Sequence, residues 1–548
     1  MPDTQRLNQK PTKEYFVWIV AISIGLFTIL SVSGALRHPL WADEAETGIF
    51  ARTILQRGLP FGWDGRNIMG LRNGIRLNSQ LLNNVEPWLP YYLTAGSFFL
   101  FGISTFTARV PSLVISVFTL IYLLFFSYRI SRNKRVAVMT IVMLSVNVPF
   151  LLFAYQARYY ALAALASCVF TYTLLEILMH KKFSPLLFIT SGVIFFHANY
   201  LSFIPYYGAS LLSLFVLDRK AFRFWKQIAV SSLIIGLLTL PWVLIVNPFS
   251  TPTGEFLSNF NLQHATELSL RYFKDFNDNG GFPFVWVIAI IWLIARTNFY
   301  KKYRYLMYIW CLFSTFILFL SLVSIQQIVS SVSDIRYAMN IFPLLLFANV
   351  TLIEYVWQKK SWLGFLLFAT LTVTNLFTLN SSPRIWVMEY LNEIFNSEYQ
   401  SSTGRVITYL TKHSQVDETV FVSPDYYNEP IIFYLGNRVR VINRILPDNT
   451  RILATNQLLP QYVYKSPIPP DWIVLFGTFN QYDMRELPRN VSLGDYEKTQ
   501  VTEFALDLTR PELFYHVFSP VQTTEEKYHI IIYHKKRATQ SQQSVARL

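Results

Sequence analysis

Long apolar runs alternate with short basic segments along the first two thirds of the chain. Most runs are close to the roughly 20 residues that an α-helix needs to cross a bilayer. The pattern predicts about eleven membrane-spanning helices, at 15–36, 107–130, 136–154, 159–179, 184–203, 205–217, 227–246, 282–295, 305–323, 337–357 and 362–379. The first run is longer than a signal-peptide core, so we expect an uncleaved anchor. The small residues of "SVSGA" leave a cleavage site as the alternative.

The run "PWLPYYLTAGSFFLFG", at 87–102, is short for a span and begins with two prolines. If it lies at the membrane interface, the segments "SYRISRNKR", "HKK", "DRKAFRFWK", "RTNFYKKYR" and "WQKK" fall on the same side as the N-terminal "KPTK". Basic loops gather on the cytoplasmic side of a membrane. We therefore predict an interfacial helix at 87–102, a cytoplasmic N-terminus and an outward-facing loop at 37–104.

After residue 380 the long apolar runs stop and short patterned segments follow. "GRVITYLTKH" and "EPIIFYLG" have the spacing of helices, whereas "ETVFVSP", "RVRVIN", "DWIVLFG" and "YHIIIYHKK" are typical of strands. The length is in the usual range of one domain. We predict two parts: a transmembrane domain at 1–380 and an extracytoplasmic α/β domain at 381–548.

Composition agrees with a multi-pass protein of the cell membrane. Hydrophobic residues make up 52% of the chain and charged residues only 15%, which is unlike a soluble protein of this length. The excess of 47 Lys and Arg over 33 Asp and Glu lies between apolar runs, so it indicates topology rather than a nucleic-acid partner. The two cysteines lie inside apolar runs and indicate no disulfide or metal framework.

The segment "LRHPLWADEAETGIFARTILQRGLP", at 36–60, has three acids directly after the first span. One interpretation is structural: Asp43 caps a helix, and Glu44 and Glu46 are solvated residues of its first turn. The other is catalytic, since a carboxylate at the outer interface can act as a base. No spacing of His, Cys or acids forms a recognisable zinc or iron site. A divalent ion bound by Asp43 and Glu44 is left open.

Further polar residues are predicted on the same outer side. They are Glu86 in "VEPW", Gln156, Arg158 and Tyr159 in "FAYQARYYAL", and Asp334, Arg336 and Tyr337 in "SDIRYAMNIFP". Taken singly, such arginines and tyrosines are common anchors at span ends. Together they suit a lipid-linked phosphate, because guanidinium binds phosphate oxygens bidentately. His197 lies inside an apolar run, where a hydrogen-bonded core position and a substrate contact are both open.

In their order along the chain, these segments resemble the membrane glycosyltransferases of the GT-C fold. The resemblance is carried by "WADEAETGIFARTIL", "EPWLPYYLTAGSFFLFGISTFTARVPSL", "RNKRVAVMTIVMLSVNVPFLLFAYQARYYAL" and "DIRYAMNIFPLLL", and it covers about 15–379. The nearest branch contains the protein O-mannosyltransferases and the lipid A aminoarabinose transferase. The resemblance implies a polytopic helical fold and inverting transfer, on the outer side, of a sugar from a polyprenyl-phosphate donor.

The same resemblance implies roles for individual residues. Asp43 would be the general base and Glu44 would assist or orient it, while Arg158, Arg336 and Tyr337 would stabilise the departing phosphate. Glu86 occupies a place where relatives often have a basic residue or histidine, and this departure points to acceptor or donor-sugar binding. Gln156, Tyr159 and His197 are further candidates for substrate contacts. No cofactor is required on this reading.

The expected partners are membrane lipids, the polyprenyl-phosphate sugar and an acceptor, which could be a protein, a glycolipid or a polysaccharide. A transporter or flippase of lipid-linked sugars is the main alternative. Transporters tend to place polar groups near the membrane midplane, whereas the conspicuous charges here gather at one edge. A non-catalytic receptor or assembly protein is a third hypothesis, and it predicts that Asp43→Asn leaves activity unchanged.

Overall fold

The structure is a computed structural model that describes thirteen stretches of the chain. They are 11–69, 77–78, 80–247, 262–280, 302–323, 335–377, 379, 385–395, 402–423, 427–442, 469–477, 491–504 and 528–536. The predicted span at 282–295 and Asp334 lie outside these residues.

Fourteen helices belong to the described part of the first 380 residues. They are α1 (Pro11–Arg37), α2 (Ala42–Arg57), α3 (Leu89–Phe101), α4 (Thr105–Ser131), α5 (Lys134–Ser145), α6 (Val148–Ala154), α7 (Tyr160–His180), α8 (Pro185–Ala198), α9 (Tyr200–Leu217), α10 (Trp225–Val246), α11 (Leu262–Gly280), α12 (Arg304–Val323), α13 (Phe342–Lys359) and α14 (Ser361–Val373). Short 3-10 helices, Arg219–Phe224 and Ile335–Ile341, precede α10 and α13.

Within the described residues, seven helical segments are long and apolar enough to cross a membrane, or eight if α5 and α6 together form one span. α8 and α14 are apolar but shorter. Most of the predicted runs therefore correspond to apolar helices. The interfacial prediction for 87–102 corresponds to α3, whose 13 residues span only about 20 Å at 1.5 Å per residue.

At two places the helices differ in detail from the predicted runs. The run 136–154 is not one straight helix, because α5 and α6 are bent by 68° relative to each other. The bend lies at Asn147, whose side chain accepts a hydrogen bond from the Phe150 N–H, and Pro149 occupies the first turn of α6. The boundary predicted near residue 204 lies at Asn199, which caps α9, so that Pro205 is inside that helix.

The basic segments gather at one end of the bundle. Asp218 pairs with both Lys181 and Arg304. Asn133 donates to Glu354 at 3.0 Å, and the Tyr303 ring packs on that of Tyr355 near the end of α13. These contacts join the turns after α4, α7, α9 and α13 and the start of α12 at a single face, as the positive-inside argument requires. We name this face the basic end.

The described part of the C-terminal region contains a five-stranded mixed sheet and three α-helices. The helices are α15 (Trp386–Phe395), α16 (Ser402–His413) and α17 (Asn428–Leu435), and the strands are β1 (Thr419–Ser423), β2 (Arg440–Ile442), β3 (Trp472–Gly477), β4 (Tyr496–Phe504) and β5 (Tyr528–Lys535). The strand order is β2-β1-β3-β5-β4, with β1 parallel to β2 and β3, and β5 antiparallel to β3 and β4. The helices and strands predicted at 404–442, 471–477 and 528–536 are confirmed, whereas β4 was not predicted.

The α/β region packs directly on α2, the helix that carries the acidic segment. Arg52 of α2 donates to the backbone carbonyls of Phe433 and Ile432, at 3.1 and 3.2 Å. The Tyr434 hydroxyl accepts a hydrogen bond from the Leu40 N–H at 2.8 Å and lies 2.7 Å from the Thr105 hydroxyl. One apolar core continues from α2 through α17 to one face of the sheet. The α/β region therefore supports α2 from outside the bundle.

Gly48 lets these two parts approach closely, and its replacement gives a first prediction. A Cβ added at Gly48 would lie 2.5 Å from the Phe433 ring, whereas one added at Gly25 in α1 meets nothing within 4 Å. We expect Gly48→Ala to destabilise the chain by about 1–3 kcal/mol through overpacking. Thermal unfolding of the purified chain would measure this. Gly25→Ala is the matched control, for which equal destabilisation would contradict the explanation.

Candidate active site

The three acids lie at the start of α2, with Asp43 and Glu44 in its first turn, and all three are buried. Asp43, Glu44 and Glu46 have exposed fractions of 6%, 0% and 2%. The residue before the helix is Trp41, and no side chain caps it. The structural interpretation of the segment was therefore wrong on two points. Asp43 is not the cap, and Glu44 and Glu46 are not solvated.

Glu44 is held by Arg109 of α4 in a buried ion pair. The Arg109 Nε and Nη2 atoms donate to the two Glu44 carboxylate oxygens at 2.8 and 2.5 Å, and the Ala157 N–H donates to Oε1 at 2.8 Å. Arg109 also donates to the carbonyls of Ala35, in the last turn of α1, and of His38 and Pro39, in the turn between α1 and α2. These contacts fix where α2 begins, so they favour orientation over direct chemistry for Glu44.

Asp43 lies between two arginines from distant parts of the chain. Arg336 Nη1 donates to Asp43 Oδ2 at 2.9 Å, and Arg158 Nη2 lies 3.6 Å from the same oxygen. Arg336 belongs to the 3-10 helix before α13, which is fixed by hydrogen bonds from Ser202 to the Tyr337 carbonyl and from Ser167 to the Asn340 carbonyl. Three of the predicted site residues, Asp43, Arg158 and Arg336, are thus brought together.

Arg158 is the central cation of this cluster. Its Nη2 donates to Glu86 Oε1 at 2.6 Å, and its Nη1 lies 3.7 Å from Glu46 Oε2. Burial by itself would lower the pKa of the Arg158 guanidinium, but Glu86, Asp43 and Glu46 raise that pKa well above its usual value. Arg158 therefore keeps its positive charge inside the protein.

Glu86 connects Arg158 to α3. The Tyr91 hydroxyl donates to Glu86 Oε2 at 2.5 Å, while Arg158 holds the other oxygen. Burial first, and the negative charge of Glu86 second, raise the pKa of Tyr91 well above its usual value. The phenol stays protonated and remains a hydrogen-bond donor. Glu86 is consequently oriented by two donors, with a side chain that is 21% exposed.

A narrow cleft opens beside this cluster, with a free volume of about 40 Å³. Its walls contain the predicted site residues Glu86, Arg158, Tyr159 and Tyr337, together with Asn199 and Tyr200. The hydroxyls of Tyr159 and Tyr200 are buried and have no hydrogen-bond partner among the residues that the structure describes. A buried hydroxyl is stabilised by a polar partner, so the cleft suits a ligand rich in oxygen atoms.

Two predicted substrate contacts lie away from the walls of the cleft. Gln156 is fully buried and its Nε2 donates to the Leu152 carbonyl at 3.1 Å. His197 lies near the end of α8, where its ring packs edge-to-face against Trp242. Both environments favour a packing role over substrate contact.

Sequence reasoning missed Arg109, Tyr91, Asn199 and Tyr200. Arg109 had a usable signal, because a charged residue inside an apolar run needs a partner in the protein interior. The two tyrosines are indistinguishable by sequence from the many aromatic residues of membrane interfaces. Asn199 is an N-cap whose position at the cleft depends on how α8 and α9 pack.

The carboxylates of Asp43 and Glu44 are not arranged to bind one metal ion together, since each is paired with a different arginine. Across the residues that are described, no group of three or more His, Cys, Asp or Glu side chains is arranged to hold a metal ion. The open alternative of a divalent ion at Asp43 and Glu44 would require one of these ion pairs to break.

No protein-family model matches the sequence, and no curated protein matches it. Solved structures do match. The chain is similar to ArnT from Cupriavidus metallidurans in the apo state, with 13% identity and a TM-score of 0.53, and to ArnT bound to undecaprenyl phosphate, with 12% identity and a TM-score of 0.50. Each match covers 95% of this chain and 98% of ArnT.

Because both matches extend over nearly the full length of each protein, the chain has the fold of ArnT, the GT-C fold. This confirms the predicted fold class, a polytopic helical membrane protein with a C-terminal α/β part. The similarity is one of fold alone.

Proposed function

We propose that the chain is an inverting glycosyltransferase that moves a sugar from a polyprenyl-phosphate donor to an acceptor at the outer face of the cell membrane. The observation that carries the proposal is the Asp43–Arg336 ion pair beside the cleft, with Arg158 on its other side. A carboxylate that can accept a proton and two guanidiniums that can bind phosphate are the two kinds of group that this reaction needs.

The reaction would proceed in one displacement. The acceptor hydroxyl oxygen attacks the anomeric carbon, and its proton passes to the Asp43 carboxylate. The bond between the anomeric carbon and the phosphate oxygen breaks, and the phosphate leaves with the electron pair. Arg158 and Arg336, with Tyr337, stabilise the negative charge that develops there. A phosphate is a weak base, so the leaving group needs no general acid of the glycosidase type.

The ion pair also suggests how the donor prepares the base. In the structure, Arg336 donates to Asp43 at 2.9 Å. A bound phosphate would compete with the Asp43 carboxylate for the same guanidinium, because the oxygens of either anion can accept hydrogen bonds from it. Arg336 would then turn towards the phosphate and leave the Asp43 carboxylate free to accept a proton. Glu44, held by Arg109, would serve to position α2 rather than to move protons.

Other cleft residues would select the substrates. Glu86 is oriented by Arg158 and Tyr91, so its carboxylate could receive hydrogen bonds from sugar hydroxyls. Tyr159 offers a hydroxyl inside the cleft. The solved ArnT structure with undecaprenyl phosphate supports a polyprenyl phosphate as the donor's carrier. The prediction that no metal is required stays a prediction, to be tested by transfer in the presence of a chelator.

Transfer assays in reconstituted membranes, with a panel of polyprenyl-phosphate sugars, would test the proposal. We expect wild-type chain to transfer sugar from at least one donor. Arg336→Ala should lower kcat/KM about 10²-fold for that donor, because one guanidinium that stabilises the phosphate is lost. The measurement is initial rate against donor concentration.

Arg129→Ala is the matched control, since Arg129 is half-exposed and lies at the basic end of α4. Equal rates for Arg336→Ala and wild type would show that Arg336 has no role in the proposed reaction. Lipid-sugar uptake into vesicles without any transfer would favour the transporter alternative instead.

A further inference from the structure

A second polar cavity lies at the basic end, far from the acidic segment. It encloses about 670 Å³, its open mouth included. Its walls contain three cations: Arg132 and Lys134, in and just after the turn between α4 and α5, and Lys302, just before α12. Glu354 of α13 forms part of the same wall. α4 has 27 residues and runs from Thr105 beside the acidic site to this turn, which separates the two sites by roughly 40 Å.

Glu354, the carboxylate among the described residues of the cavity wall, is already bonded to other groups. Asn133 Nδ2 and Gln358 Nε2 each donate to Glu354 Oε1 at 3.0 Å, and Arg135 Nη1 lies 3.5 Å from Oε2. Arg132, Lys134 and Lys302 have no carboxylate partner among the residues described. The cavity is therefore rimmed by three cations that form no ion pair within the described residues, and the Glu354 carboxylate in its wall is paired with Arg135.

The position of the cavity favours the head group of a membrane lipid over a soluble anion as its ligand. The candidate spans Thr105–Ser131, Arg304–Leu322 and Ile335–Lys359 all end at it, so it lies at a membrane boundary. Aromatic rings typical of that boundary lie under the cations: the Arg135 guanidinium is 5.2 Å from the Trp357 ring, and Lys302 Nζ is 5.1 Å from that of Tyr303.

The end of α4 that leads to the turn at the cavity exposes apolar side chains. Phe125 and Tyr128 are 65% and 44% exposed. Their spacing of three residues places both on one face of α4, in the last two turns before Arg132, which directly follows the helix. A molecule with a phosphate head and acyl chains would match both parts, the cationic rim and the apolar strip.

We propose that this cavity binds the head group of an anionic phospholipid of the membrane leaflet at the basic end. The phosphodiester would lie among Arg132, Lys134 and Lys302, and an acyl chain would follow Phe125 and Tyr128. Basic pockets between transmembrane helices bind anionic head groups in this way. The site is separate from the proposed transferase site, and its test requires no transfer activity.

Native mass spectrometry of the full-length chain in detergent would test the site, with phosphatidylglycerol and phosphatidylcholine added at equal concentration. We expect retention of phosphatidylglycerol over phosphatidylcholine. The triple variant Arg132→Gln, Lys134→Gln, Lys302→Gln should lower the retained phosphatidylglycerol about tenfold or more, because each cation near a membrane surface contributes to binding.

The triple variant Arg219→Gln, Lys220→Gln, Lys226→Gln is the matched control, because it removes three exposed cations in and after the turn that follows α9. Its retention of phosphatidylglycerol should equal that of wild type. Equal losses in both triple variants would overturn the site, as would equal retention of phosphatidylcholine. Displacement of the lipid by inorganic phosphate at the same concentration would show a site for soluble anions instead. Unchanged thermal unfolding of both variants verifies that they fold.

Discussion

Asp43→Asn is expected to lower kcat for sugar transfer by about 10²–10⁴-fold, the range that general-base catalysis supplies. Asparagine has nearly the same shape and can still accept a hydrogen bond from Arg336, but it cannot take the proton of an acceptor hydroxyl. Donor binding should change far less than kcat, because Arg158 and Arg336 both remain. Single-turnover transfer in reconstituted membranes, together with donor-binding measurements, would separate the two effects.

Glu46→Gln is the control for Asp43→Asn, because it removes a neighbouring buried charge 3.7 Å from Arg158 without touching the base. Its loss should be much smaller. Asp43→Glu should recover part of the rate, since it restores a proton acceptor. If Asp43→Asn transfers within tenfold of wild type, the acceptor carries its own negative charge, such as a phosphate, and Asp43 is not its base.

Arg109→Met is expected to destabilise the chain by about 3–5 kcal/mol, because it leaves the fully buried Glu44 without its partner. Methionine fills similar space but provides no positive charge. The three carbonyls at the end of α1 and in the turn before α2 also lose their donor. Thermal unfolding in detergent should show a large loss, and transfer should fall with it because α2 is no longer fixed.

Arg129→Met tests whether the loss is specific to the buried pair. Arg129 lies on the same helix, but its side chain is 49% exposed and its ion pair with Glu176 is long, at 3.6 Å. Exposed pairs contribute about 0–1 kcal/mol. The double variant Arg109→Met, Glu44→Gln should recover part of the loss, since no charge is then left unpaired. Similar unfolding of Arg109→Met and Arg129→Met would contradict the importance of the buried pair.

Periodicity predicted the membrane helices well because a bilayer imposes a length and an apolar surface on each of them. Periodicity failed where a local polar contact decides at which residue a helix begins. Asn147 and Asn199 each cap a helix within an otherwise apolar stretch, and neither interrupts the hydropathy pattern enough to be seen. Strand β4, "YEKTQVTEF", was missed because its apolar residues are few and its pairing with β5 comes from tertiary structure.

The sequence predicted which candidate site residues are present and that they share one side of the membrane. It did not predict which of them contact each other. Asp43, Arg158 and Arg336 could be grouped because each lies at a predicted span end. Glu44 faces Arg109, whereas Asp43 faces Arg336. This difference depends on the rotation of α2 about its axis, and the packing of α2 determines that rotation. The same rotation buries Glu46, which a surface helix would have left in solvent.

The contact between α2 and α17 has a consequence for synthesis of the chain. Arg52 and Phe433 are 381 residues apart in sequence, and Leu40 and Tyr434 are 394 apart. The N-terminal part leaves the ribosome first, so α2 would enter the membrane region long before its packing partner has been made. Until then the Phe433-facing side of α2 is uncovered. Completion of the candidate site would thus be one of the last events of folding, and a chain interrupted before residue 428 would have its spans but an unsupported α2.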